Sequence, residues 1–197
     1  MILPPRLPKG FIPALLAFLC LFGQQHSAAA GAGLLNLDGS TSHPFGDRQA
    51  KLLAFIFVRT DCPISNSYAP KIRRLKEKYG ALGVTFWLVY PGADQSRSAI
   101  RQHLEEFDYG CGATRDPRAD FARESKVRVT PEAALFRPDG TLLYHGRIDD
   151  RYVDFGKSRP EASRHEFDQA LASALAGKSV KSAAGPAIGC FIEGAKE

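Results

Sequence analysis

Chemistry is concentrated where one apolar run ends. Leu52 to Val58 is continuously apolar and is followed by Arg59-Thr60-Asp61-Cys62-Pro63. A run of that kind, with two phenylalanines and an isoleucine, predicts a strand buried on both faces. The residues after Cys62 carry apolar positions every three to four, which predicts a helix. A thiol at a helix N-terminus faces unpaired backbone N–H groups and the positive end of the helix dipole, and both favour thiolate over thiol. Pro63 suits the first helical position, where its missing N–H leaves no bond unmade. Ser65 offers a hydroxyl that can hydrogen-bond a thiolate but cannot form a disulfide. Cys62 is therefore the candidate nucleophile.

Nucleophilic thiols usually work with a second thiol. The chain has four cysteines, at positions 20, 62, 111 and 190. Cys20 falls in an N-terminal segment expected to be removed, and three remaining thiols allow one disulfide and one leftover. Cys190 is the better partner for Cys62. It lies near the end of a small-residue stretch, and the twelve residues from Lys178 to Gly189 can span about 40 Å when extended. A domain of this size has a radius of gyration near 15 Å, so such an arm reaches any face. Gly185, Pro186 and Gly189 suit a flexible arm. Cys111, between Gly110 and Gly112, is expected to be simply buried.

The elements that must position these groups follow from periodicity. Tyr68, Ile72, Leu75 and Tyr79 mark one face of a helix from Ser65 to Tyr79, with Pro70 kinking it and Gly80 closing it. Val84 to Tyr90 reads as a second buried strand. Residues 95–107 are helical in period, and Asp116-Pro117 opens a short helix to about Lys126. Ala133 to Phe136 and Thr141 to Ile148 form a hairpin around Pro138-Asp139-Gly140. Ser163 with Glu166 reads as a capping box for a last helix carrying Phe167, Leu171 and Leu175. The charged run Asp149-Asp150-Arg151 reads as solvated surface. Alternation followed by a hairpin implies an α/β fold with a mixed central sheet and helices on both faces.

The N-terminus reads as a signal for export. Arg6 and Lys9 precede an apolar run from Phe11 to Phe22, too short to cross a bilayer core of about 20 helical residues. Ser27-Ala28-Ala29-Ala30 completes a secretory signal peptide over residues 1–30, cleaved after Ala30. The product is exported and periplasmic or otherwise extracytoplasmic, with membrane contact only if that segment stays uncleaved. Removing two basic residues lowers the formal net charge from +5 to +3, too little to argue for nucleic acid. The expected organisation is a domain over residues 31–177 and a flexible tail over 178–197 carrying Cys190.

Taken together, the strand ending in Cys62-Pro63, the kinked helix after it and Val129-Thr130-Pro131 before a hairpin resemble the thioredoxin-like superfamily. The similarity is greatest to its exported redoxin branch, related to the alkyl hydroperoxide reductase/thiol-specific antioxidant group. It implies a thioredoxin-like fold and a cis peptide bond at Pro131 beside the active thiol. It also implies that Thr130 offers its backbone to an incoming disulfide or extended peptide. The activity implied is thiol-disulfide exchange, with Cys62 as nucleophile and Thr130 and Pro131 orienting the substrate; the reach of the tail makes Cys190 the resolving candidate, and Pro63, Ser65 and Thr60 are further candidates for the substrate site. Its partners would be protein or small-molecule disulfides and a thiol electron donor.

Departures from the family patterns leave two alternatives. The run Cys62-Pro63-Ile64-Ser65 lacks the second cysteine of Cys-x-x-Cys. Peroxiredoxins carry Thr or Ser three residues before the active cysteine, where this chain has Arg59, with Thr60 one step too close. A thiol peroxidase acting on peroxides remains the first alternative. A non-catalytic binding or metal-handling module is the second. No cofactor is expected, and His43, His103, His145 and His165 lack the spacing of a zinc site.

Overall fold

A computed structural model describes Met1, Gly31 and residues 33–195 of the chain. The expected signal segment lies outside the described residues, apart from Met1.

Five strands make the central sheet: β1 (Leu52–Phe57), β2 (Val84–Pro91), β3 (Gly112–Asp116), β5 (Glu132–Phe136) and β6 (Leu142–Gly146), in the order β3-β2-β1-β5-β6. β1 pairs in parallel with β2, and β2 with β3, while β5 runs antiparallel to both β1 and β6. The central position of β1 explains its unbroken apolar run. Ala54, Ile56 and Val58 join one core with Ile72, Leu88, Ile100 and Phe167, whereas Leu53, Phe55 and Phe57 join the other with Val89, Phe121 and Phe136. Successive side chains of a strand point to opposite faces, so only a strand covered on both sides uses such a run. The sheet is mixed and helices lie on both faces.

Local chemistry sets the remaining elements. The predicted helix at 65–79 begins earlier and is broken in two, α1 (Pro63–Ser67) and α2 (Ala69–Gly80), meeting at Tyr68 just before Pro70. In α3 (Arg97–Phe107) the Ser96 hydroxyl caps the start by accepting the Ala99 N–H at 3.1 Å. Asp116 does not open a helix. It ends β3, and its buried carboxylate accepts the Ala122 N–H at 2.9 Å inside α4 (Asp120–Glu124). The two-residue strand β4 (Val129–Thr130) precedes Pro131, and the small strands β7 (Tyr152–Asp154) and β8 (Lys157–Ser158) pair with each other.

Two sequence expectations need correction near the last helix. α5 (Glu166–Leu175) has no side-chain cap, and Ser163 instead donates to Asp150 at 2.6 Å. Asp149 and Asp150 are not solvated surface but buried: Asp149 accepts the Tyr68 hydroxyl at 2.6 Å, and Asp150 accepts the backbone N–H groups of Ser163 and Arg164. A charge can be buried when its lone pairs are taken up by fixed donors, and this turn is built around two such carboxylates.

The tail lies against the domain. Val180, Ala183 and Ile188 pack on one core, and Ile192 and Ala195 are buried in the other. Its strand β9 (Cys190–Phe191) pairs antiparallel with β4.

The ring of Phe55 sits 4.8 Å from Phe121 and 5.7 Å from Phe136, edge to face with both. Substituting Phe55→Ala leaves a cavity in the centre of the sheet, and unfolding in urea is expected to show a loss of about 3–5 kcal/mol.

Candidate active site

Cys62 is the N-cap of α1, in extended backbone with φ −98° and ψ 107°, and Pro63 follows at the first helical position. Its carbonyl accepts the Asn66 N–H at 3.1 Å, so the helix starts at the thiol itself. The side chain is fully buried, 0 % exposed. It donates to the carbonyl of Thr130 at 3.2 Å, and the Thr130–Pro131 bond is cis, as the family resemblance implies.

Opposite that carbonyl the tail arrives in register. Thr130 pairs with Cys190 and Val129 with Phe191, placing Cys190 Sγ 2.6 Å from Cys62 Sγ, with both residues present as free cysteines. Three contacts hold β9 there. The Ile192 N–H donates to Arg128 O at 3.0 Å, the Arg123 guanidinium donates to Gly194 O at 2.7 Å, and Ile192 itself is buried. Gly189 is pressed against the Thr130–Pro131 peptide. A Cβ there would meet the Thr130 carbonyl oxygen and fall 2.6 Å from its carbon, so no larger residue lets the strand approach this closely.

Electrostatics divides the two thiols. Burial pushes the Cys62 thiol up, but hydrogen bonds from the Cys190 thiol, the Ser65 hydroxyl and the backbone outweigh it, and the Cys62 pKa lies below its ordinary value. The Ser65 hydroxyl has no partner among the described residues while Cys62 is a thiol, which leaves its proton free to turn toward a thiolate. Burial pushes Cys190 up to about 12, and the neighbouring Cys62 and Asp61 add to it. Burial likewise holds Cys111 at about 12, with Lys76 a small counterweight. Cys111 donates to Tyr109 O at 3.3 Å and takes no part in the Cys62–Cys190 contact.

Other sequence candidates face elsewhere. The Thr60 hydroxyl donates to Gln95 Oε1 at 3.2 Å. The Arg59 guanidinium is held by Asp61 at 3.0 and 3.1 Å and by Asp94 at 2.5 and 3.3 Å. Neither group bonds to the Cys62 sulfur.

Two residues that support the site were not singled out from sequence. Glu132, buried directly after Pro131, accepts the backbone N–H groups of Arg128 and Val129 at 3.0 and 3.3 Å, which fixes the strand that the tail pairs with. His103, also buried, bridges Asn66 of α1 at 2.8 Å and the Tyr90 hydroxyl at 2.9 Å. Asn66 Nδ2 donates to Thr60 O, so its Oδ1 must accept from His103 Nε2, and Nδ1 accepts from Tyr90. Burial lowers the His103 pKa to about 4, which keeps it neutral in that role. Its signal in the sequence was a histidine on the apolar face formed by Ile100, Leu104 and Phe107.

Comparison with known proteins agrees with this geometry. A family model described as Thioredoxin-like matches residues 49–142, the stretch from before β1 into the start of β6. No curated protein sequence matches the chain. Among solved structures, a hypothetical protein from Sinorhizobium meliloti 1021 superposes with a TM-score of 0.71 at 20% identity, covering 84% of this chain and 91% of that one. An uncharacterized conserved protein from Geobacillus kaustophilus gives 0.67 at 24% identity, covering 81% and 86%. A secreted Mycobacterium tuberculosis disulfide oxidoreductase homologous to E. coli DsbE gives 0.51 at 18% identity, covering 77% and 98%. The fold is thus the one used by thiol-disulfide oxidoreductases. The chain has the thioredoxin-like fold and is similar to that superfamily over residues 49–142.

The site makes two measurable demands. Gly189→Ala should lower the urea midpoint modestly, because the added Cβ meets the Thr130 backbone, and slow closure of the Cys62–Cys190 disulfide under mild oxidant by about 10–100-fold, the cost of a misplacement near 1 Å. His103 ionises in the unfolded chain near 6.5 but in the folded one only at about 4. The unfolded state therefore binds the proton first, so stability is fully present above 6.5 and falls as the pH drops toward 4. His103→Gln should flatten the slope of urea midpoint against pH across that window.

Proposed function

We propose that this chain is an exported thiol-disulfide oxidoreductase of the redoxin type, with Cys62 as nucleophile and Cys190 as resolving thiol. The observation that carries the reading is the 2.6 Å approach of the two sulfurs across the Thr130 edge. The chemistry needs little else: a thiolate, a backbone edge and a second thiol.

In the reducing direction, the tail strand lifts from Thr130 and a substrate disulfide takes its place. The Cys62 thiolate attacks one substrate sulfur, and the other leaves as a thiolate. The tail returns, and Cys190 gives up its proton and attacks Cys62 Sγ. The second substrate thiol is expelled, leaving a Cys62–Cys190 disulfide for a thiol donor to reduce. The substrate loses its disulfide, the enzyme gains one, and two electrons have moved.

Geometry favours exchange over peroxide reduction. A peroxidase must polarise the O–O bond with donors that converge on the thiolate. Here Arg59 is already held by two carboxylates and Thr60 bonds to Gln95. A purely structural module has no use for a second thiol held in register by a strand pair. Export rests on the N-terminal sequence pattern, and the secreted M. tuberculosis neighbour is in keeping with it.

A turnover assay with a peptide disulfide and dithiothreitol separates the roles. Cys62→Ser should abolish reduction. Cys190→Ser should stop turnover and accumulate a mixed disulfide on Cys62, and Cys111→Ser should retain the wild-type rate. Activity surviving in Cys62→Ser, or lost in Cys111→Ser, would refute the reading.

A further inference from the structure

Resting on that reading, we infer that the electron donor attacks Cys190, not Cys62: the tail sulfur is the one through which the oxidised enzyme is reduced. The strand pair carries the argument. With β9 seated on β4, Cys62 is 0 % exposed, enclosed by the Thr130 carbonyl, the start of α1 and Cys190 itself. Cys190 is only partly buried, so it is the more exposed residue of the pair. Forming the bond does not uncover Cys62, because it ties β9 down over the site. Ile192 and Ala195 anchor the chain beyond Cys190, and Val180, Ala183 and Ile188 anchor it before.

Which sulfur of a disulfide is attacked depends on access and on the leaving group, a thiol of lower pKa leaving faster. Both act in the same direction here. Attack on Cys190 expels Cys62 at the N-terminus of α1, where the unpartnered Ser65 hydroxyl and the first helical N–H groups can take up its charge. Attack on Cys62 would expel Cys190, which has no helix start beside it and whose ionisation burial opposes. A donor thiolate forms a bond to Cys190 Sγ, and the Cys62–Cys190 bond breaks. Cys62 leaves as a thiolate carrying the electron pair, and the donor is joined to the tail as a mixed disulfide. A second donor thiol then attacks the donor sulfur of that bond, releasing Cys190 and an oxidised donor. The donor is thus a thiol, on a small molecule or a protein, that reaches the tail and never enters the buried site.

This polarity assigns different sulfurs to the two partners. Substrate disulfides bond to Cys62 once the tail has moved, and donors bond to Cys190 while it stays in place. The tail is then a handle for reduction as well as a resolving arm.

The experiment uses the full exported protein, oxidised until the Cys62–Cys190 bond has formed, then mixed with glutathione in the presence of iodoacetamide and mapped by peptide mass. The expected product carries glutathione on Cys190 and carbamidomethyl on Cys62, in large excess over the reverse pattern. Glutathione on Cys62 with alkylated Cys190, in equal or greater amount, overturns the inference while leaving the proposed function intact. If the oxidised protein forms no Cys62–Cys190 bond at all, the proposed function falls and this inference with it. The Gly189→Ala variant adds a second readout. With the tail displaced from Thr130, the excess of glutathione on Cys190 should shrink; an undiminished excess would overturn the argument from the strand pair.

Discussion

The backbone of Thr130 carries two interactions at once, and the site is arranged around them. Its carbonyl accepts the Cys62 thiol at 3.2 Å, while its strand pairs with the tail so that Cys190 meets Cys62 sulfur to sulfur. A buried thiol with no partner is an inert apolar group. Placed between a carbonyl and a second thiol, at the first turn of a helix, it becomes a group whose ionisation its neighbours control. The rest of the fold keeps these parts in register. β1 delivers Cys62 from the middle of the sheet, Glu132 fixes the strand edge by its backbone N–H groups, and His103 ties α1 to β2 through Asn66 and Tyr90.

Occupying the Thr130 edge with the chain's own tail has a consequence for substrate choice. On the proposed function, a disulfide-bearing peptide must compete with two strand residues, a buried Ile192 and the packing of Ile188. Because β9 is only two residues long, that competition is not steep, since short strand pairs are weak on their own. In the proposed cycle, the same brevity lets the tail return. On the proposed function, the helix start at Cys62 accounts for attack, and the tail for resolution and access.

Much of this was legible in the sequence because it is local. Cys62-Pro63 at the end of an apolar run, the Pro138-Asp139-Gly140 hairpin and the break near Pro70 each follow from a few adjacent residues. What escaped depends on contacts distant in sequence. β3 has no apolar run, since Gly112-Ala113-Thr114-Arg115-Asp116 is made a strand by pairing with β2. Asp149 and Asp150 read as surface because their partners, Tyr68 and Ser163 with Arg164, come from other elements. The tail's small residues suggest an arm without fixed position. Its few apolar residues, Ile188 and Ile192 above all, dock it, and Gly189 permits the approach that its length alone did not reveal. The resolving role proposed for Cys190 follows from reach and composition, whereas the register that places it beside Cys62 is a property of the β4–β9 pair.

The central claim is that Cys62 and Cys190 form one working pair and that Cys111 stands apart. Mapping disulfides by peptide mass in the exported protein, before and after mild oxidation, tests it most directly. The account requires a single intramolecular bond joining Cys62 to Cys190, with Cys111 recovered as a free thiol. A bond between Cys62 and Cys111, or Cys190 paired only between chains, would contradict it.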